Sequence, residues 1–140
     1  LGTVSTLALG GLLATATIGP SIKETPKRWI RLESMAALSV GKVSTVVMHY
    51  DVQNGFHKSR VSKPVMIARQ PDVNNIVVFN TTCTHLGCTV HWDENKKLYV
   101  CACHGGMFDK EGNVSAGPPP RPLDRYVFKV EDRHLFLEVV

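Results

Sequence analysis

The sequence predicts an all-β head: an antiparallel sandwich or open barrel with a small metal-binding subdomain at one end, preceded by one N-terminal transmembrane helix. Three observations point there. Short runs rich in β-branched residues, separated by turn signals, recur from Val43 to the C terminus. All four cysteines fall between Cys83 and Cys103, in loops fed by those runs. The first 22 residues carry no charge. A length of 140 residues with 44% hydrophobic content suits one domain plus a short appendage. The net charge of +4 is spread along the chain, without a basic tract or interleaved aromatics, which argues against a nucleic-acid partner.

Taken in order, residues 1–22 (LGTVSTLALGGLLATATIGPSI) form the expected anchor. At a rise of about 1.5 Å per residue they just cross a hydrocarbon core of roughly 30 Å. Lys23, Lys27, Arg28, Trp29 and Arg31 follow, as flanking cations and interfacial aromatics do at a membrane exit. A secretory signal core and a buried core helix compete with this reading. The length of the run, and the lack of a cleavage site before the globular part, favour an anchor that is kept. Residues 23–41 are then membrane exit and tether, and 42–140 the head, with the metal-binding subdomain at about 81–123.

Within the head, Val43–Tyr50 and Phe56–Val61 flank Asn54-Gly55, a strong hairpin signal. Val65–Ala68 reads as a buried strand after Pro64, and Gln70–Asn75 as a turn. Ile76–Phe79 leads into the first cysteine loop. Leu98–Val100, after the polar turn Asp93–Lys97, leads into the second. Tyr126–Val130 and Leu135–Val140 close the chain as a hairpin around Glu131–His134. His49, His57, His91 and His134 have no cysteine at matched spacing and read as surface or packing residues. Trp92, Tyr99 and Phe108 read as local core around the loops.

The chemistry lies in Cys83-x-His85 and Cys101-x-x-His104, each loop carrying a further cysteine, Cys88 and Cys103. Two thiolates and two imidazoles make a four-ligand set that suits either zinc or a binuclear iron–sulfur cluster. Zinc sites favour Cys-x2-4-Cys knuckles or His-x3-5-His. Here each loop offers one cysteine and one histidine, which suits a cluster with both cysteines on one iron and both histidines on the other. Cys88 and Cys103 are either a disulfide stapling the loops or two buried thiols.

The segments CTHLGC and CACHGG, followed by GPPPRPL, resemble the Rieske iron–sulfur subunit of cytochrome bc- and bf-type quinol oxidases. The resemblance is close from Cys83 to about Leu123. It implies a Rieske-type fold and one [2Fe–2S] cluster held by Cys83, His85, Cys101 and His104. Leu86, Gly105, Gly106 and Pro118 would line the cluster, within a proline loop at 117–122. It further implies a Cys88–Cys103 disulfide, a hinge or tether at Glu33–Gly41, where a single helical turn leading into the first strand is the alternative, and quinol meeting His104 and His85 beside a cytochrome b-type subunit. A c-type cytochrome would take the electron, within a dimeric complex. A Rieske ferredoxin serving an oxygenase or another oxidase is the alternative, but such ferredoxins usually lack the extra cysteine pair.

Two consequences follow. A disulfide belongs to an oxidising compartment, so the head is expected on the extracytoplasmic (positive) side of a cell membrane crossed once. The cations after the anchor favour the opposite orientation, but a head exported folded is not bound by that rule. As for redox, two thiolates leave the oxidised cluster neutral where four would leave it doubly negative. That places such centres at about −150 to +300 mV rather than near −400 mV. High-potential members of the family carry Ser and Tyr where this chain has Gly106 and Phe108, neither of which can donate a hydrogen bond to the cluster sulfurs. The expectation is a low-potential centre matched to menaquinol.

Overall fold

The computed structural model describes residues 27–69 and 75–139, and the expected anchor at 1–22 lies outside them. Among the described residues no helix is long and apolar enough to cross a membrane. The described chain is built from antiparallel sheets. The long hairpin forms as expected: β2 (Val43–Asn54) pairs with β3 (His57–Arg69) from Val43↔Ala68 to Asn54↔His57. Gly55, with φ of 62°, supplies the left-handed conformation that the turn needs.

The two strands expected at 56–61 and 65–68 are one strand running through Pro64. Proline is tolerated there because β4 (Ile76–Asn80) begins pairing with β3 only at Val65↔Asn80, so Pro64 has a sheet neighbour on one side alone. Beyond it the sequence stops alternating: Val65, Met66 and Ile67 are all fully buried. The reason is that this sheet is covered on both faces.

On one face, Met48, Val65, Ile67 and Val78 share a core with Leu135, Leu137 and Val139. The latter belong to a second sheet, in which β10 (His134–Val139) lies between β1 (Arg28–Ser34) and β9 (Phe128–Glu131). On the other face, Met66 and Phe79 pack against Val90, Tyr99, Cys101, Phe108 and Leu123 of the metal-binding end. That end is a four-stranded sheet of β5 (Val90–Asp93), β6 (Leu98–Cys101), β7 (Gly106–Phe108) and β8 (Val114–Ala116). Each fully buried aliphatic or aromatic side chain contributes about 1.5–3 kcal/mol. Met66 and Phe79 thus join the two halves by the same force that holds each half together.

One expectation is corrected. Residues 28–34, assigned to the tether, form β1, paired with β10 from Arg28↔Val139 to Arg31↔Phe136 and again at Ser34↔His134. The following turn is also docked. Met35 and Leu38 are buried in the inter-sheet core. Arg69 Nη1 donates to the carbonyl of Met35 and, at 2.9 Å, to that of Leu38. Met35 N donates to Arg133 O at 2.8 Å, and Gly41 N to Arg69 O at 2.7 Å. In this structure the segment from Arg28 to Gly41 is therefore docked on the head.

Hydrogen exchange is therefore expected to find the amides of 28–34 protected along with those of 134–139; rapid exchange there would return the segment to the tether. Arg69→Leu leaves two carbonyls without their donor and should cost about 1–3 kcal/mol in urea unfolding.

Candidate metal centre

The first loop runs from β4 to β5 and is closed by its own backbone. Cys83 N donates to Cys88 O at 2.8 Å, Gly87 N to Cys83 O at 3.0 Å, and Val90 N to Thr81 O at 2.7 Å. The second loop is the turn of a hairpin: Cys101 faces Gly106 across β6 and β7, and residues 102–105 project beyond the pair. Strand ends thus set both loops, and the Cys88–Cys103 disulfide ties one to the other, with Cα atoms 6.4 Å apart.

Cys83 and Cys101 are buried free thiols at the floor of the site, 3% and 2% exposed. Burial pushes the Cys83 thiol above its ordinary value, the backbone N–H of His85 pulls it back down, and neighbouring Cys101 raises it further. The imidazoles sit on the other side. The His85 and His104 rings stand nearly perpendicular, 4.9 Å apart between centroids. His85 is half-buried and His104 exposed. His85 Nδ1 is buried without a hydrogen-bond partner among the described residues, although a buried polar nitrogen is normally satisfied.

The structure thus sets Cys83 beside Cys101 and His85 beside His104, with both thiols buried and the imidazoles half-buried and exposed. A second thiol grouping, Cys88, Cys101 and Cys103, has its sulfurs within 4.8 Å of one another. The disulfide consumes two of those three, so this trio holds no metal. Leu86 is 68% exposed beside the site. Gly105 is exposed and Gly106 buried. Of the three consecutive prolines, Pro118 and Pro120 are exposed and Pro119 is buried.

Several groups that position the site were not singled out from the sequence. Thr84 Oγ1 donates to Arg121 O at 2.7 Å, tying the first loop to the proline loop. Arg121 grips Asp124 with both terminal nitrogens, Nη2 to Oδ2 at 3.1 Å. That guanidinium holds the Asp124 carboxyl below its usual range. Asp124 O accepts from Asn80 N at 2.8 Å, and Gly112 O from Leu123 N at 2.9 Å. The Arg-x-x-Asp spacing was the available signal, though surface pairs of that kind are common. Beneath the loops, Tyr99 packs on Phe79 and Trp92 at centroid distances of 5.1 and 4.8 Å. Burial and the carboxylates of Glu111 and Asp109 keep its phenol protonated. Of the other histidines, His49 bonds Ser62 Oγ at 2.9 Å and His134 bonds Arg31 Nη2 at 2.6 Å, both on strand surfaces.

The family model described as the Rieske [2Fe-2S] domain matches residues 39–127. The chain is 29% identical over 131 residues to the cytochrome b6-f complex iron-sulfur subunit of Chlorobaculum tepidum, covering 94% of this chain and 69% of that one. It is 29% identical over 141 residues to the menaquinol:cytochrome c reductase iron-sulfur subunit of Geobacillus thermodenitrificans, covering 92% and 83%. Among solved structures it is similar to a chain of a hyperthermophilic respiratory Complex III, with a TM-score of 0.52 and 27% identity over 76% of this chain and 72% of that one. The residues present fit the cofactor in that family's description. Two buried thiols, an unpartnered buried imidazole nitrogen and a second imidazole are the mixed donor set that such a cluster takes.

Two expectations follow. Opening the disulfide with Cys103→Ser should cost about 3 kcal/mol, the closure entropy of a 15-residue loop, read as a lower thermal midpoint. The second concerns acid. Asp124 has a depressed pKa when folded, so its contribution is present above the unfolded value of about 3.9 and is lost as pH falls through the lower folded one. The pair is half exposed, so Asp124→Asn should cost no more than about 1 kcal/mol at pH 7. That difference should persist down to about pH 4 and close only as pH falls further, through the depressed folded value, which a series of urea titrations from pH 7 downward would check.

Proposed function

Because this chain belongs to the Rieske [2Fe-2S] domain family, we propose that it is the electron-transfer subunit of a membrane quinol:cytochrome c oxidoreductase, with menaquinol as the electron donor. The observation that carries this is the inside-out order of the donors, with thiols buried and His104 exposed at the rim. Cys83 and Cys101 would hold one iron, and His85 and His104 the other. When bound, the cluster supplies a one-electron acceptor that is neutral when oxidised.

The protein's own part is to aim the donor and to accept its proton. Held through one ring nitrogen, His104 would keep its other nitrogen at the surface, where as N–H it would hydrogen-bond a docked quinol oxygen and where only as the imidazolate it would accept the hydroxyl proton. Exposed Leu86 beside it offers an apolar contact to the rim of a cytochrome b-type pocket. The thiol floor, sealed by Val90, Tyr99, Phe108 and Leu123, keeps water from the buried side. The disulfide supports a head on the extracytoplasmic side. Residues 1–22 serve as the single-pass anchor in this reading. The Geobacillus relative quoted above is named a menaquinol:cytochrome c reductase iron-sulfur subunit, which supports menaquinol as the donor and a cytochrome c as the acceptor.

Menaquinol follows from what the cluster surroundings lack. Gly106 and Phe108 present no hydroxyl, and hydrogen bonds to cluster sulfur stabilise the added electron. An EPR-monitored redox titration is expected to put the midpoint in the lower part of the range of about −150 to +300 mV; a value in the upper part overturns the menaquinol assignment. Phe108→Tyr should raise the midpoint by on the order of 50 mV, the one-electron equivalent of a single modest hydrogen bond. In membranes with the intact complex, Leu86→Glu should leave spectrum and midpoint in place. Quinol:cytochrome c turnover should drop about tenfold or more, because a carboxylate must be desolvated on docking. Unchanged turnover would favour a ferredoxin-like carrier.

A further inference from the structure

We propose that Gly106 and Pro119 are an interlocked pair, in which the proline ring fills the space that a side chain at 106 needs and thereby holds the proline loop shut on the second metal loop. The inference rests on the ligand reading above and adds a positioning residue to it. Pro119, not the bare glycine alone, is what keeps a hydroxyl away from the cluster.

Gly105 and Gly117 have φ of 66° and 86°, a region that by itself favours glycine. Gly106 does not: it is an ordinary strand residue of β7, paired with Cys101. Its lack of a side chain must therefore come from lack of room. A Cβ built there would lie 2.7 Å from Pro119 Cγ and 3.2 Å from Pro119 Cδ. On the other side it would lie 3.5 Å from Cys101 Cβ, an ordinary contact, so the obstruction is the Pro119 ring alone. Proline cannot swing aside as a long side chain would, because its ring is tied into the backbone.

The neighbouring contact repeats the pattern. A Cβ on Gly117 would stand 2.6 Å from Gly105 O and 2.9 Å from Gly106 Cα. Loop and hairpin thus meet backbone to backbone over Gly105-Gly106 and Gly117–Pro119. The loop is also fixed further along, by Thr84 Oγ1 on Arg121 O and by Leu123 N on Gly112 O. Sliding it outward to admit a side chain at 106 means breaking those contacts.

It follows that a serine at 106 cannot reach the cluster while Pro119 is present. The test uses the full chain and three variants: Gly106→Ser, Pro119→Ala, and both together. Gly106→Ser alone should lower the thermal midpoint, speed iron loss to a chelator by about tenfold or more through overpacking, and leave the redox midpoint no higher. The double variant should regain most of the thermal stability and raise the redox midpoint. A Gly106→Ser chain as stable as the parent with a raised midpoint overturns the interlock, as does a double variant no more stable than Gly106→Ser. If no variant, parent included, holds iron, the ligand reading has failed instead. The thermal cycle on the iron-free chains then decides the interlock by itself.

Discussion

Everything in this molecule depends on holding two short loops face to face, so that two buried thiols stand opposite two imidazoles. Neither loop is stable in that form alone. Each is a turn between strand ends, and each carries donors that cost free energy to bury. Cys83 shows the conflict directly: burial favours its neutral thiol, whereas metal binding needs the thiolate. Backbone N–H groups from its own loop pull toward the thiolate. A preformed site of this kind has its desolvation cost met by the fold before any metal arrives.

The fold meets that cost through sheets stacked on either side of one pair of strands. β3 and β4 are buried on both faces, so Val65 and Ile67 hold the base while Met66, between them, holds the metal-binding end. Strain or slippage in the base would therefore reach the loops through adjacent residues of one strand. Around the site, the disulfide, the Thr84–Arg121 hydrogen bond and the Gly106–Pro119 contact each join a different pair of segments. Together they tie the two loops and the proline loop to one another, while His104 and Leu86 stay exposed.

The sequence was most legible where chemistry is written as short spacing. Cys83-x-His85, Cys101-x-x-His104 and the Asn54-Gly55 turn need only a few residues to be recognised; the hairpin forms at that turn, and the two imidazole rings lie 4.9 Å apart between centroids. It was least legible where a contact joins distant segments. Arg28–Ser34 read as a membrane exit because Trp29 and Arg31 dominate it. Yet Ile30 and Leu32 alternate inward, and the strand's partner lies at the other end of the chain. β7 and β8 are three residues each, too short to carry a period. Pro119 could not be told from Pro118 in a run of three, since only the position of Gly106 decides which ring is buried. Nothing local to Arg69 reveals that its targets are carbonyls more than thirty residues away.

The central claim, unlike donors on one binuclear centre, is tested most directly by pulsed EPR of the reduced full chain labelled with ¹⁵N-histidine. Two distinct strongly coupled nitrogens are predicted, one lost in His85→Ala or His104→Ala wherever the cluster survives. A spectrum with no strong nitrogen coupling, or an iron-free protein that binds zinc through the same residues, would contradict the account.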